Sequence, residues 1–241
     1  MNIVLLCAYD EEAVIRPTLL AVHEALAPLP TPYRVVLVDD GSSDGTVREA
    51  EAAAASTNGG LDLHVVRHER NRGLGAALVT GFDACLAMAG DDDAIVTLDA
   101  DNTHPPRLIP KLIARLDEGY DLVIASRYQP GASIRGVPRS RLWISDAARF
   151  LLRALFPIRG VRDYTCCFRA YRPAALRRAL LAFGDELTSA RGFEAVMDIL
   201  LRLRATGERA SEIPIELEYA SRVGSSKMKV LATIRKTLAL V

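Results

Sequence analysis

Asp99-Ala100-Asp101 follows directly on the apolar run 95–98, so a strand ending there carries two carboxylates at its exit. Oxygen ligands of this kind suit a hard divalent cation, and Mg²⁺ takes one or two carboxylates and completes its shell with substrate phosphates. Such an ion would offset the charge of a diphosphate leaving group. Two acidic residues around a small one also occur in solvated turns; the strand-end position is what favours the metal reading. Asp39-Asp40-Gly41-Ser42-Ser43-Asp44-Gly45-Thr46 begins in the same way where the run 35–38 ends. Its glycines allow a sharp turn, and Asp44 or Thr46 can cap the next helix. For Asp44, Gly45 and Thr46 capping is the favoured role. For Asp39 and Asp40 it is binding, through hydrogen bonds accepted from a ribose or a base.

The elements that must position these carboxylates follow from the hydrophobic pattern. Short apolar runs at 3–7, 35–38, 63–66, 95–98 and 122–125 end in polar or glycine-containing sequence and predict strands. Helical stretches at 13–26, 46–55, 75–88 and 106–116 lie between them, the last opened by Pro105-Pro106. An order of βαβαβαβα favours a mainly parallel sheet covered by helices, with ligands at the carboxyl ends of the strands. Beyond Ser126 the rhythm changes to a Gly- and Arg-rich stretch, a helix at 142–156, a strand at 166–171, helices from Pro173 and Phe193, and a strand at 213–217. No linker or repeat separates the halves. Asp91-Asp92-Asp93 reads as a solvated turn.

The 241 residues, half of them hydrophobic, suit one large domain with at most a short appendage. The 30 basic and 30 acidic residues cancel, which argues against a nucleic-acid partner. Cys7, Cys85, Cys166 and Cys167 lack metal-ligand spacing, and the adjacent pair is badly placed for a mutual disulfide. Plain thiols suit a reducing cytoplasm. The start runs into Asp10, Glu11 and Glu12 with no basic lead, as a buried strand does and a signal peptide does not. No uninterrupted apolar stretch reaches the roughly 18 residues of a membrane span, so the expected location is cytoplasmic, with membrane contact peripheral and on the cytoplasmic face.

Further motifs come in a telling order. Arg70-Asn71-Arg72-Gly73-Leu74-Gly75 opens a helix after the Asp39–Thr46 segment, and His104-Pro105-Pro106 follows the paired aspartates. Together these resemble the successive signatures of family-2 glycosyltransferases. Ala125-Ser126-Arg127-Tyr128 with Gly131-Ala132, and Arg222-Val223-Gly224-Ser225-Ser226-Lys227-Met228, are similar to the branch of dolichyl-phosphate mannosyltransferases and other polyprenyl-phosphate glycosyltransferases. The resemblance implies an α/β GT-A fold, with a single mainly parallel central sheet flanked by helices, over 1–226. Residues 227–241 then form a C-terminal amphipathic, juxtamembrane helix. It implies that Tyr9, Glu11, Asp39 and Asp40 bind the nucleotide sugar, GDP- or UDP-linked, and that Asp99 and Asp101, with Thr103, meet the diphosphate and Mg²⁺ or Mn²⁺. Arg222 and Lys227 would close over the phosphates, and Arg127 and Arg141 would face the phosphate of a polyprenyl acceptor. A separate membrane protein is a further candidate partner.

Two local departures stand out. The family's Pro-x-Tyr-Asn-Glu is Cys7-Ala8-Tyr9-Asp10-Glu11 here, and its usual Gln after the second aspartate is Thr103. Many members also carry transmembrane helices. A phosphate-monoester acceptor has a second pKa near 6, so its dianion needs no general base, and direct attack on the anomeric carbon inverts it. A hydroxyl acceptor would need a base. The helix 142–156 and the segment after Lys227 mix arginine and lysine with large apolar residues. Such faces lie either in an anionic membrane interface or on the core. His23, His64, His68 and His104 lack ligand-like grouping and read as structural or surface residues, and a catalytic cysteine is not expected. The rivals are a hydroxyl-acceptor glycosyltransferase, a nucleotidyltransferase, which would show a basic Gly-rich first loop, and a non-catalytic binding protein.

Overall fold

A computed structural model describes residues 1–136 and 149–218. Arg141, Arg222, Lys227, the start of the helix expected at 142–156 and the helix expected at 227–241 lie outside the described residues. Five parallel-type strands come first: β1 (Asn2–Ala8), β2 (Tyr33–Asp39), β3 (Leu63–Arg67), β4 (Ala94–Asp99) and β5 (Leu122–Ser126). Alternating with them are α1 (Ile15–Leu26), α2 (Thr46–Ser56), α3 (Leu74–Leu86) and α4 (Ile109–Asp117). Then come β6 (Ser133–Arg135), helix α5 (described over 149–155), β7 (Arg169–Tyr171), α6 (Pro173–Phe183), α7 (Glu194–Ala205), β8 (Ala210–Pro214) and β9 (Glu216–Glu218).

The main sheet has seven strands in the order β3-β2-β1-β4-β7-β5-β8. Every pairing in it is parallel except those of β7, which runs antiparallel between β4 and β5. β1 and β2 are apolar on both faces because helices cover both sides of a parallel sheet. Each helix offers a stripe to the sheet: α1 buries Ile15, Leu19, Val22 and Leu26, and α4 buries Ile109, Leu112 and Leu116, at the spacing of one helical face. α3 sits unusually close to its neighbours. A Cβ on Gly75 would lie 1.9 Å from the carbonyl oxygen of Ala190, and Gly73 holds φ at 94°, a conformation that disfavours any side chain. The start of α3 is thereby packed against the loop that leads into α7.

Two expected strands differ. The run 166–171 pairs only from Arg169 onward, because the Cys166 N–H is taken by the Asp163 carboxylate (3.1 Å) and not by a strand. The run expected at 213–217 belongs to two sheets. β8 ends at Pro214, which has no N–H to continue the ladder; Ile215 still donates to Ser126 O (3.1 Å), and β9 then pairs with β6 in a separate two-stranded sheet.

Arg169, the first residue of β7, is wholly buried, and its guanidinium donates to three backbone carbonyls. Nε donates to Cys166 O (2.8 Å), Nη1 to Val196 O (2.7 Å) and Nη2 to Tyr164 O (2.8 Å). One guanidinium thus ties the segment before β7 to α7. Replacing Arg169 by Met should lower stability by about 3 kcal/mol or more, because three buried carbonyls lose their donor. Chemical denaturation followed by circular dichroism checks this, and an unchanged midpoint would mean that the carbonyls find other donors.

Candidate active site

In the order β3-β2-β1-β4 the chain first builds outward from β1 and then returns to its other side, so the crevice between the ends of β1 and β4 is a topological switch point. Cys7 and Asp99 are partners across that pairing. A cavity of about 360 Å³ opens there. The end of β1 contributes Tyr9 and Glu11, and the end of β4 contributes Asp99, Asp101, Thr103 and His104. Arg127 enters from the end of β5, and Thr165, Cys166 and Cys167 from the stretch before the antiparallel β7. Asn71 and Gly73 at the start of α3, and Arg191, Gly192 and Phe193 before α7, close the remaining wall.

The loop after β1 is laced to the loop after β2. Asp10 N–H donates to Ser42 Oγ (3.0 Å), Ser43 N–H to Asp10 Oδ1 (2.8 Å) and Glu11 N–H to Thr46 Oγ1 (2.8 Å). Asp10, which stands where the family pattern has Asn, is therefore used as an acceptor for Ser43. Asp44 accepts the N–H of Thr46 (3.0 Å) and of Glu12 (3.1 Å), in keeping with a local capping role. Asp40 is buried, and its carboxylate receives the N–H groups of Arg72 and Gly73 (both 2.8 Å) and stands 2.7 Å from His68 Nδ1. It lines the cavity while fixing the entry to α3. Asp39 is wholly buried and is not among the lining residues. Its Oδ1 accepts Ser42 N–H (3.2 Å), and its Oδ2 lies 3.1 Å from Arg67 Nε as an ion pair, without a hydrogen-bonded donor.

At the end of β4 the Thr103 hydroxyl donates to Asp101 Oδ1 (2.5 Å), as does its N–H (3.1 Å), which orients that carboxylate. Asp99 and Asp101 supply two hard oxygen donors; no cluster of three or more acidic, His or Cys ligands occurs among the described residues. That donor set fits a Mg²⁺- or Mn²⁺-sized ion only when a substrate's phosphates complete the shell. His104, read from the sequence as structural or surface, is buried against this pair in a structural role. Its Nδ1 accepts the Asp99 N–H (3.1 Å), which puts the proton on Nε2, 3.7 Å from Asp99 Oδ2, and its ring stacks on Phe168 at 5.3 Å. A lone histidine carries no sequence pattern that would single it out; the loop brings His104 back to Asp99.

Arg127 meets Asp163 in a two-point contact, Nε to Oδ2 (2.8 Å) and Nη2 to Oδ1 (2.7 Å). Burial works against the charged Asp163 carboxylate, but the adjacent guanidinium and the hydrogen bonds it accepts hold its pKa down to about 2. Burial pushes the Cys166 thiol up to about 12 and raises Cys7 and Cys167 as well, so none offers a thiolate. Tyr9, Glu11, Asp40, Asp99, Asp101, Thr103 and Arg127 therefore line one cavity.

This arrangement of a mostly parallel sheet with acidic residues at its central switch point is the GT-A glycosyltransferase fold. The family model of glycosyl transferase family 2 matches residues 3–180, and the chain belongs to that family. It is 32% identical over 227 residues to polyprenol monophosphomannose synthase of Mycolicibacterium smegmatis, covering 94% of this chain and 80% of that one. It is 32% identical over 198 residues to dolichol-phosphate mannosyltransferase of Pyrococcus furiosus, covering 82% of this chain and 51% of that one, so it spans about half of that relative. Glucosyl-3-phosphoglycerate synthase of Mycobacterium tuberculosis, solved with Mn²⁺, uridine diphosphate and glucosyl-3-phosphoglycerate, shares the fold at a TM-score of 0.67 and 23% identity, over 99% of this chain and 77% of that one.

His104→Leu removes the acceptor of the Asp99 N–H and should cost about tenfold in turnover, ~1.4 kcal/mol. Asn, which can present Oδ1 where Nδ1 stood, should recover most of it. Steady-state rates of the two variants, with circular dichroism as a check on folding, decide this; equal losses would show that the hydrogen bond is not what matters.

Proposed function

We propose that this protein transfers a hexose, mannose or glucose-like, from a GDP- or UDP-linked donor to a polyprenyl phosphate, with inversion and with the help of Mg²⁺ or Mn²⁺. The observation that carries this reading is the meeting of the Asp99–Asp101 pair and a fixed Arg127 in one cavity. A divalent ion on Asp99 and Asp101 would offset the charge gathering on the departing diphosphate. Tyr9 and Glu11 meet the nucleoside. A ribose hydroxyl displacing Arg67 would supply the donor that buried Asp39 Oδ2 lacks. Arg222 and Lys227 close over the diphosphate from the segment after β9. Arg127, helped by Arg141, holds the acceptor phosphate, whose dianion attacks the anomeric carbon directly. The names of the relatives support a lipid phosphate as that acceptor.

The membrane surface is part of the reading. No described helix is long and apolar enough to cross a membrane. On α5, Phe150 is 77% exposed, and Leu151, Leu155 and Arg153 are exposed beside it. Apolar residues interleaved with arginine suit an anionic bilayer interface, which is consistent with a peripheral position on the cytoplasmic face. The domain reading, 1–226 catalytic and 227–241 juxtamembrane, and a separate membrane partner belong to the same proposal.

Kinetics with a short-chain polyprenyl phosphate and with the corresponding free alcohol test the acceptor. The phosphate alone should be glycosylated, and Arg127→Ala should raise its KM about tenfold or more while leaving that of the nucleotide sugar nearly unchanged. Glycosylation of the alcohol would turn the reading to a hydroxyl acceptor and a general base. The α5 face is tested with vesicles of phosphatidylglycerol free of polyprenyl phosphate: Phe150→Glu with Leu155→Glu should abolish co-sedimentation yet leave turnover of a water-soluble short-chain acceptor intact.

A further inference from the structure

A guanidinium has five N–H donors in a fixed fork. In Arg127 three of them are committed: Nε to Asp163 Oδ2 (2.8 Å), and Nη2 to both Asp163 Oδ1 (2.7 Å) and Thr165 Oγ1 (2.5 Å). The Arg127 backbone N–H also reaches Asp163 Oδ2 (3.1 Å). Among the described residues no hydrogen bond takes the pair on Nη1, on a side chain that is 13% exposed and lines the cavity.

Asp163 is itself immobilised. It is wholly buried and accepts the N–H groups of Thr165 (3.2 Å) and Cys166 (3.1 Å). Its own N–H, like that of Arg162, donates to Glu212 Oε1 at 2.6 Å, while Glu212 Oε2 receives Gln129 Nε2 (3.0 Å). The chain of contacts runs from Glu212 on β8 through the 162–163 backbone to Asp163 and then to Arg127 at the end of β5. Every link is a hydrogen bond between buried or half-buried groups, where such bonds are strongest and least replaceable by water.

We propose that Asp163 is a positioning residue for the acceptor: with Thr165 it clamps the Arg127 guanidinium so that the Nη1 edge alone meets the acceptor's phosphate. This rests on the acceptor reading given above. The clamp also neutralises the arginine's charge, so the phosphate is recognised here by the direction of two N–H groups, and long-range attraction comes from other cations. A planar fork fixed on one side and open on the other is suited to that task, since its donors are pre-aligned before the phosphate arrives.

The clamp separates acceptor from donor kinetics. Asp163→Asn turns an acceptor oxygen into an NH₂ facing Arg127 and should raise the KM for a short-chain polyprenyl phosphate about tenfold, with kcat changed far less. Thr165→Val removes one contact, leaves Asp163 in place and should raise the same KM about threefold, guarding against a fold defect in the first variant. Binding of UDP or GDP with Mn²⁺, followed by calorimetry, should stay within about twofold in both. In ¹⁵N-arginine-labelled protein the Arg127 Nε–H resonance, assigned with Arg127→Lys, should exchange slowly with water and lose that protection in Asp163→Asn.

Unchanged KM in both variants overturns the proposal. So does a fall of nucleotide affinity in step with that of the acceptor, which would mean general collapse of the cavity, or a lowered KM in Asp163→Asn, which would make Asp163 a mere neutraliser. If the unaltered protein glycosylates no lipid phosphate, the functional reading fails separately. Titration of inorganic phosphate into the labelled protein then decides the clamp by itself: a shift of the Arg127 signal that Asp163→Asn abolishes supports it, and no shift refutes it.

Discussion

The parallel pairing of β1 with β4, which sets Cys7 beside Asp99, is the constraint on which the rest of the molecule depends. Because the chain turns outward to β2 and β3 before returning to β4, the loops after β1 and β4 diverge and leave a crevice between them. Their own loop presents the two carboxylates at its floor: the Thr103 hydroxyl and N–H orient the Asp101 carboxylate, and His104 fixes the Asp99 backbone by accepting its N–H. Sheet order decides where the charge collects, and the loop after β4 decides how it is presented.

The antiparallel β7 completes what the parallel strands begin. Inserted between β4 and β5, it brings its preceding segment to the same edge as the carboxyl ends of its neighbours. Thr165 and the two cysteines thus reach the cavity although they precede their strand, and Asp163 is buried against Arg127. Arg169 anchors that segment from below through three backbone carbonyls, and Asp163 anchors Arg127 from the side. A parallel strand in that position would have carried its leading segment to the opposite end of the sheet.

Most of the framework was legible in the sequence because it is written in periodicity. The runs that became β1 to β5 are short and mostly apolar, and α1 to α4 carry one buried stripe each. What escaped is written in pairings between distant residues. β7 has three paired residues, too few for a period, and its start is set by Asp163 capturing a backbone N–H. The break between β8 and β9 turns on Pro214, whose presence inside an expected strand was the available signal. His104 and Asp163 were hidden for a related reason. A single histidine or aspartate has no pattern, and its role depends on the group that the fold sets against it. The cavity positions of Tyr9, Glu11, Asp99, Asp101 and Arg127 follow from motifs that recur in order, and Asp39 shows the limit of that method: the motif locates the residue but not how deeply the fold encloses it.

Charge accounting links these observations to the chemistry. Among the described residues the cavity is lined by Glu11, Asp40, Asp99 and Asp101 on the acidic side and by Arg127 and Arg191 on the basic side. Asp40 is engaged by backbone N–H groups and by His68, and the charge of Arg127 is balanced by Asp163, so the rest of the floor carries three carboxylates, Glu11, Asp99 and Asp101, against Arg191. A nucleoside diphosphate brought against that floor would face like charge at close range in a medium less polarisable than water, which is strongly unfavourable. The difficulty disappears when a divalent ion sits between carboxylates and phosphates and when cations close from outside, the part proposed for Arg222 and Lys227. On this argument the acidic floor is a reason for donor and metal to arrive together, since each supplies the charge that the other lacks.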